Sequence, residues 1–77
     1  MIATHHIESI KFDSEFIYLL IDGQEIKLLL EKVSQKLKAA DNIQRNLYKI
    51  SPSGYGIHWP LIDEDLSTDA LLSSAFL

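Results

Sequence analysis

Hydrophobic positions along the chain change their spacing several times, and each spacing predicts an element. Over residues 6 to 12, Ile10 and Phe12 alternate with Lys11, the two-residue period of a strand. Ile7 is out of phase with them, and a bulge near Glu8 or Ser9 reconciles the two. Asp13 and Ser14 supply a turn, and the run FIYLLI, residues 16 to 21, is rich in aromatic and β-branched residues, which suit a strand. Asp22-Gly23 follows, a strong short-range hairpin signal. A two-residue loop there pairs Ile17 with Leu28, Leu19 with Ile26 and Ile21 with Gln24 on one face. On the other face it pairs Tyr18 with Lys27 and Leu20 with Glu25. One face is apolar and the other mixed, as a correct register requires.

The period then lengthens. Leu30, Val33, Leu37 and Ala40 form the stripe of an amphipathic helix over about residues 30 to 40, expected to lie on the apolar sheet face. Lys36 and Lys38 fall late in it, where cations suit the helix dipole. Asp41 and Gln44 have capping-box spacing and predict a short helical turn. NLYKI, 46 to 50, and YGIHW, 55 to 59, predict two more strands, joined by the turn chemistry of Ser51-Pro52-Ser53-Gly54. Ile57 and Trp59 share one side of the second, with His58 on the other. Pro60 ends it, having no N–H for a ladder. Asp63, Glu64 and Asp65 are expected in a loop. Ser67 or Thr68 caps a last helix, with Asp69 in its first turn and Ala70, Leu71, Leu72, Ala75 and Phe76 on its apolar side. The expected fold is α+β, with the order β-β-β-α-β-β-α. A small antiparallel or mixed sheet of about five strands carries the main helix on one face.

Composition bounds the rest. At 77 residues the chain is one domain, residues 1 to 77, and 47% of it is apolar, as in globular proteins. There is no cysteine, which excludes a disulfide framework, a Cys-ligated zinc site and a thiol nucleophile. The longest apolar run falls far short of the roughly 20 residues of a membrane span. The opening MIATHHIESI lacks the basic-then-apolar pattern of a secretory signal. These features predict a cytoplasmic chain with no membrane partner. A core this small must suffice alone, or a partner, a second copy of the chain included, must help.

Charge is divided along the chain. Residues 1 to 49 hold all 7 basic side chains and 7 acidic ones, whereas residues 50 to 77 hold no Lys or Arg and the four acids Asp63, Glu64, Asp65 and Asp69. The whole net charge of −4 therefore lies in the last third. Such a segment repels a phosphate backbone. Lys32, Lys36, Lys38 and Arg45 form the only basic patch, with no aromatic interleaved, so direct nucleic-acid binding is not expected.

The stretch GYGIHWPLIDEDLSTDALL, residues 54 to 72, is the most distinctive in the chain. With the strand–Asp22-Gly23–strand start, it resembles the bacterial family catalogued as domain of unknown function 2442, whose members end in a similar segment. The matching positions are Gly56, Ile57, His58, Trp59, Pro60, Asp63, Glu64, Asp65, Ser67, Leu71 and Leu72. QRNLYKI, 44 to 50, is similar to the family's approach to this strand. Two departures stand out. LLLEKVSQKL replaces the "wfP.L" element that often follows the hairpin, and Leu66 replaces the commoner Ile. The resemblance implies a small α+β domain, alone or joined to a helix-turn-helix module, of which this chain shows no sign. It also implies an antitoxin-like role, since standalone members are often encoded beside a small suspected toxin.

Two functional expectations follow. The first is a small non-catalytic protein-binding module, with the acidic segment Asp63-Glu64-Asp65 and His58 as a docking edge for a basic protein. The alternative is a small metal-dependent or hydrolytic enzyme using His58 and the same three acids, whose imidazole and carboxylates suit metal binding or acid–base work. It requires those side chains to converge. The simpler reading has Trp59 anchoring the core while His58 bonds a loop carboxylate and Asp65 caps the last helix. Ser67 has no adjacent base, and His5 and His6 face opposite sides of a strand and cannot easily share a metal. No catalytic residue, metal or cofactor is expected.

Overall fold

The structure, a computed structural model, describes residues 4–75. Its elements are β1 (Ile7–Phe12), β2 (Phe16–Ile21), β3 (Gln24–Leu29), α1 (Leu30–Val33), α2 (Gln35–Ala39), α3 (Asn42–Asn46), β4 (Lys49–Ile50), β5 (Gly56–Trp59), β6 (Glu64–Ser67) and α4 (Thr68–Ala75). The class is α+β, as expected. The strands form two antiparallel three-stranded sheets, β1-β2-β3 and β4-β5-β6, where a single sheet of about five strands was expected.

The first sheet follows the sequence pattern closely. The register of β2 on β3 pairs Ile17 with Leu28, Leu19 with Ile26 and Tyr18 with Lys27. Asp22 (φ 52°) and Gly23 (φ 78°) are both left-handed, which a type I′ turn requires. Between Ile7 and Ser9 the register of β1 on β2 shifts, and this bulge brings Ile7 and Ile10 to the same face.

The expected helix over 30 to 40 is two short helices, because Ser34 is extended (φ −162°, ψ 114°). Ser34 closes α1 by donating its N–H to Leu30 O (2.8 Å) and opens α2 by accepting the Leu37 N–H on its hydroxyl (3.1 Å). The break keeps Leu30 and Leu37 fully buried on one side. Its hydroxyl also donates to Glu64 Oε2. Asp41 and Gln44 complete the capping box of α3.

The second sheet contains the largest departure. Glu64 to Ser67 is a strand, not a loop, although Asp and Glu are depleted in strands. It is possible because Asp63 takes a positive φ (51°), which closes a four-residue turn after Trp59 and feeds β6 back along β5. Carboxylate residues tolerate this conformation better than bulky ones. One core then joins both sheets and the helices: Ile10, Ile17, Leu19, Ile21, Ile26 and Leu28 pack with Leu30, Leu37, Ile57, Trp59 and Leu71. α4 lies against β3, β5 and β6, with Leu71 inward.

Two consequences are measurable. Gly23→Val places a β-branched residue in the left-handed region and should destabilise the fold by about 2 kcal/mol. An unchanged urea midpoint would exclude the type I′ hairpin. Ser34→Ala removes the α2 cap and the side-chain donor to the half-buried Glu64 carboxylate, leaving it only the Asp65 backbone N–H (3.0 Å). It should cost about 1–3 kcal/mol, and Ser34→Thr should retain most of that. Equal stability of the Ala and Thr variants would show that the helix break does not depend on the hydroxyl.

Candidate functional site

Strand alternation sorts the residues around His58. Ile57 and Trp59 on β5 are buried, so Gly56 and His58 face away from the core. In the β5–β6 register His58 lies opposite Asp65, and Trp59 opposite Glu64. His58 Nδ1 is 2.7 Å from Asp65 Oδ1, with the Asp65 side chain largely in solvent and that of His58 partly so. An exposed pair of this kind stabilises little, so it is not what holds the turn.

Asp63, Glu64 and Asp65 diverge. Asp63 is exposed at the turn, and its carbonyl accepts a bond from Lys36 Nζ (2.9 Å). Glu64 is half-buried and is held by Ser34 on the core side. Asp65 points to the outer face. It does not cap the last helix: Ser67 does, accepting the Ala70 N–H (3.2 Å). Glu64 is therefore set apart from Asp65, since a strand sends successive side chains to opposite faces. Among the described residues no three His, Asp or Glu side chains gather as a metal-ligand group.

A groove of about 770 Å³ instead lies along β4-β5-β6 and the loop joining β4 to β5. Its lining includes the apolar Ile50, Pro52 and Tyr55 and the polar His58, Asp65 and Asp69. Ile50 is 39% exposed and Tyr55 57%. Lys49 and Ser67 complete the rim. Asp69 arrives from the first turn of α4, one of the four acids of the acidic segment but outside the expected site.

A second cluster lies beside the groove. His5 Nδ1 is 2.8 Å from Asp22 Oδ2 and His5 Nε2 is 2.8 Å from Asp69 Oδ1. Asp22 Oδ1 also accepts the His6 backbone N–H (2.7 Å). The hydrogen bond with Asp22, then that with Asp69, raises the His5 pKa above the ordinary imidazole value. The same His5 bond, followed by the His6 N–H, lowers that of Asp22. Elsewhere, the Tyr18 hydroxyl donates to Asp13 (2.5 Å), lowering the acid and raising the phenol. The residues of the His5 cluster are 17 and 64 positions apart, so no local pattern announces it.

The basic patch is also reorganised. Arg45 is buried and donates to the carbonyls of Leu37 (3.0 Å), Asp13 (2.8 Å) and Lys38 (3.1 Å). Lys38 Nζ bonds Ser14 O (3.0 Å). Arg45 and Lys38 thus satisfy backbone carbonyls, two of them, Leu37 and Lys38, at the end of α2. Among the described residues no helix is long and apolar enough to cross a membrane.

Comparison with known proteins agrees with this architecture. A protein of unknown function from Rhodospirillum rubrum ATCC 11170, solved by crystallography, superposes with a TM-score of 0.69 at 25% sequence identity, covering 95% of this chain and 90% of that one. No curated protein matches the sequence. The family model described as "Protein of unknown function (DUF2442)" matches residues 7–76, which include both sheets, the His58–Asp65 pair and Asp69. The chain belongs to the DUF2442 family.

Proposed function

We propose that this domain is a non-catalytic protein-binding module and that its docking surface is the groove along β4-β5-β6. The observation that carries the reading is the groove: an exposed aromatic and aliphatic lining, Tyr55, Ile50 and Pro52, together with the carboxylates of Asp65 and Asp69. Exposed aromatics within a polar rim characterise protein interfaces. The partner is a basic protein, because residues 50 to 77 carry four acids and no Lys or Arg. Two carboxylates, Asp65 and Asp69, against the single Lys49 leave the groove net acidic, which speeds encounter with a basic partner and disfavours nucleic acid. A small toxin-like protein encoded alongside, as the family resemblance implies, fits this chemistry, and the domain then acts as its antitoxin-like binder.

A photo-crosslinking residue in place of Tyr55, in the full chain in its host, tests this. The expected result is one dominant adduct with a basic protein, absent when the same residue replaces Tyr18 on the outer face of the first sheet. With that protein purified, the double variant Asp65→Asn, Asp69→Asn should associate about two- to tenfold more slowly at low ionic strength and nearly normally at high salt. Adducts of equal strength at both positions, an adduct only between copies of the chain, or an association rate indifferent to the double variant would each refute the reading.

A further inference from the structure

Asp69 belongs to two structures at once. It lines the groove, and it bonds His5, whose other ring nitrogen bonds Asp22 in the β2–β3 turn. A neutral imidazole has one N–H and one lone pair, so it can donate to only one of these carboxylates. The geometry needs both nitrogens as donors and therefore fits the imidazolium. We propose that His5 is a proton-operated latch on the docking groove: its protonated ring holds Asp69 toward the hairpin turn, and loss of the proton frees the Asp69 carboxylate for a basic partner. The latch rests on the docking reading above, whose regulation it supplies.

Backbone contacts fix the ring where it can do this. The His5 side chain is 12% exposed, and its N–H donates to Ser53 O (2.9 Å). Gly54, at φ 70°, lies directly under the His5 carbonyl, and a Cβ there would come within 1.9 Å of that oxygen. Only glycine permits the approach. The charged groups facing His5 are Asp22 from the β2–β3 turn and Asp69 from α4. His6 acts on Asp22 from its other side and lies 3.8 Å from Glu8. Within the groove, Asp65 already has His58 as its partner, Lys49 stands opposite His58 in the sheet register, and Tyr55 belongs to the lining. Asp69 is thus the groove carboxylate whose availability His5 controls.

The sign follows from the raised His5 pKa. The proton is bound, and the latch closed, below that value. As pH rises through it, the imidazole neutralises, one bond is lost, and the groove gains a free negative charge. A basic partner therefore binds better on the alkaline side.

The test uses the full chain and, as probe, an acetylated hexalysine peptide. In NMR titrations of the free chain, the Asp69 carboxyl carbon should shift with the same midpoint as the His5 ring. Asp22→Asn and Asp69→Asn should each move the ring midpoint down. The peptide should perturb Asp65, Asp69 and Tyr55, with affinity about two- to fivefold higher at pH about 8.5 than at pH about 6, the scale of one exposed ion pair. With His58→Gln in both chains, so that the groove's other imidazole is removed, that pH dependence should persist beside the natural His5 and vanish in His5→Gln, the fold being retained by circular dichroism. Should His5→Gln not fold, the co-titration in the natural chain decides alone. An Asp69 carbon that ignores the His5 titration overturns the latch, and so does equal affinity at both pH values with the peptide still in the groove. A peptide that never reaches the groove overturns the docking reading and the latch with it, even where the co-titration is seen.

Discussion

An indole ring with no exposed surface sits where the two sheets meet, and the rest of the molecule is arranged around it. The Trp59 ring meets the edge of Phe12 from β1, with centroids 6.4 Å apart, and lies 6.1 Å from Tyr48 ahead of β4. Its N–H donates to the Arg45 carbonyl (2.9 Å), so the one polar atom of the ring is satisfied inside the core. Arg45 in turn spends its guanidinium on carbonyls of α2 and of the β1–β2 turn. One side chain thus connects the first sheet, the short helices and the second sheet. That connection is needed, because strands of two to four residues cannot form a sheet that stands alone in water.

Burying Trp59 also decides what faces outward. With Trp59 and Ile57 fixed inside, the pleat commits Gly56 and His58 to the other face, and the register commits Asp65 to the place opposite His58. Glu64, opposite Trp59, is committed inward and finds its donor in Ser34 at the helix break. The acidic segment is thereby divided: Glu64 supports the fold, while Asp65 and the later Asp69 line the groove. The groove is a consequence of the core, not a separate construction.

Much of this is legible in the sequence, for physical reasons that differ by element. The first hairpin is legible because Asp22-Gly23 permits one tight turn and only one register places all the Ile and Leu partners together. The Ile7 bulge is legible because a phase error in an apolar face has one cheap remedy. The Ser34 break is hidden because a serine inside a 3-4-3 stripe is compatible with a continuous helix, and the acceptor that draws it out, Glu64, is 30 residues away. β6 is hidden because Glu-Asp-Leu-Ser has weak strand propensity, and its pairing with β5 outweighs that. Arg45 reads as a surface cation until the fold shows which carbonyls surround it. His58–Asp65 is half legible, since alternation sends His58 outward but cannot choose among three consecutive acids. The His5–Asp22–Asp69 cluster has no local trace, being assembled by the packing of three distant segments.

Native-state hydrogen exchange tests most directly whether one core around Trp59 unites the two sheets. Strand amides of β2 and of β5 should exchange through the same opening, with free energies equal to each other and to that of global unfolding. Exchange of β5 and β6 amides through a separate, lower-energy opening, while β1 to β3 stay protected, would contradict the account.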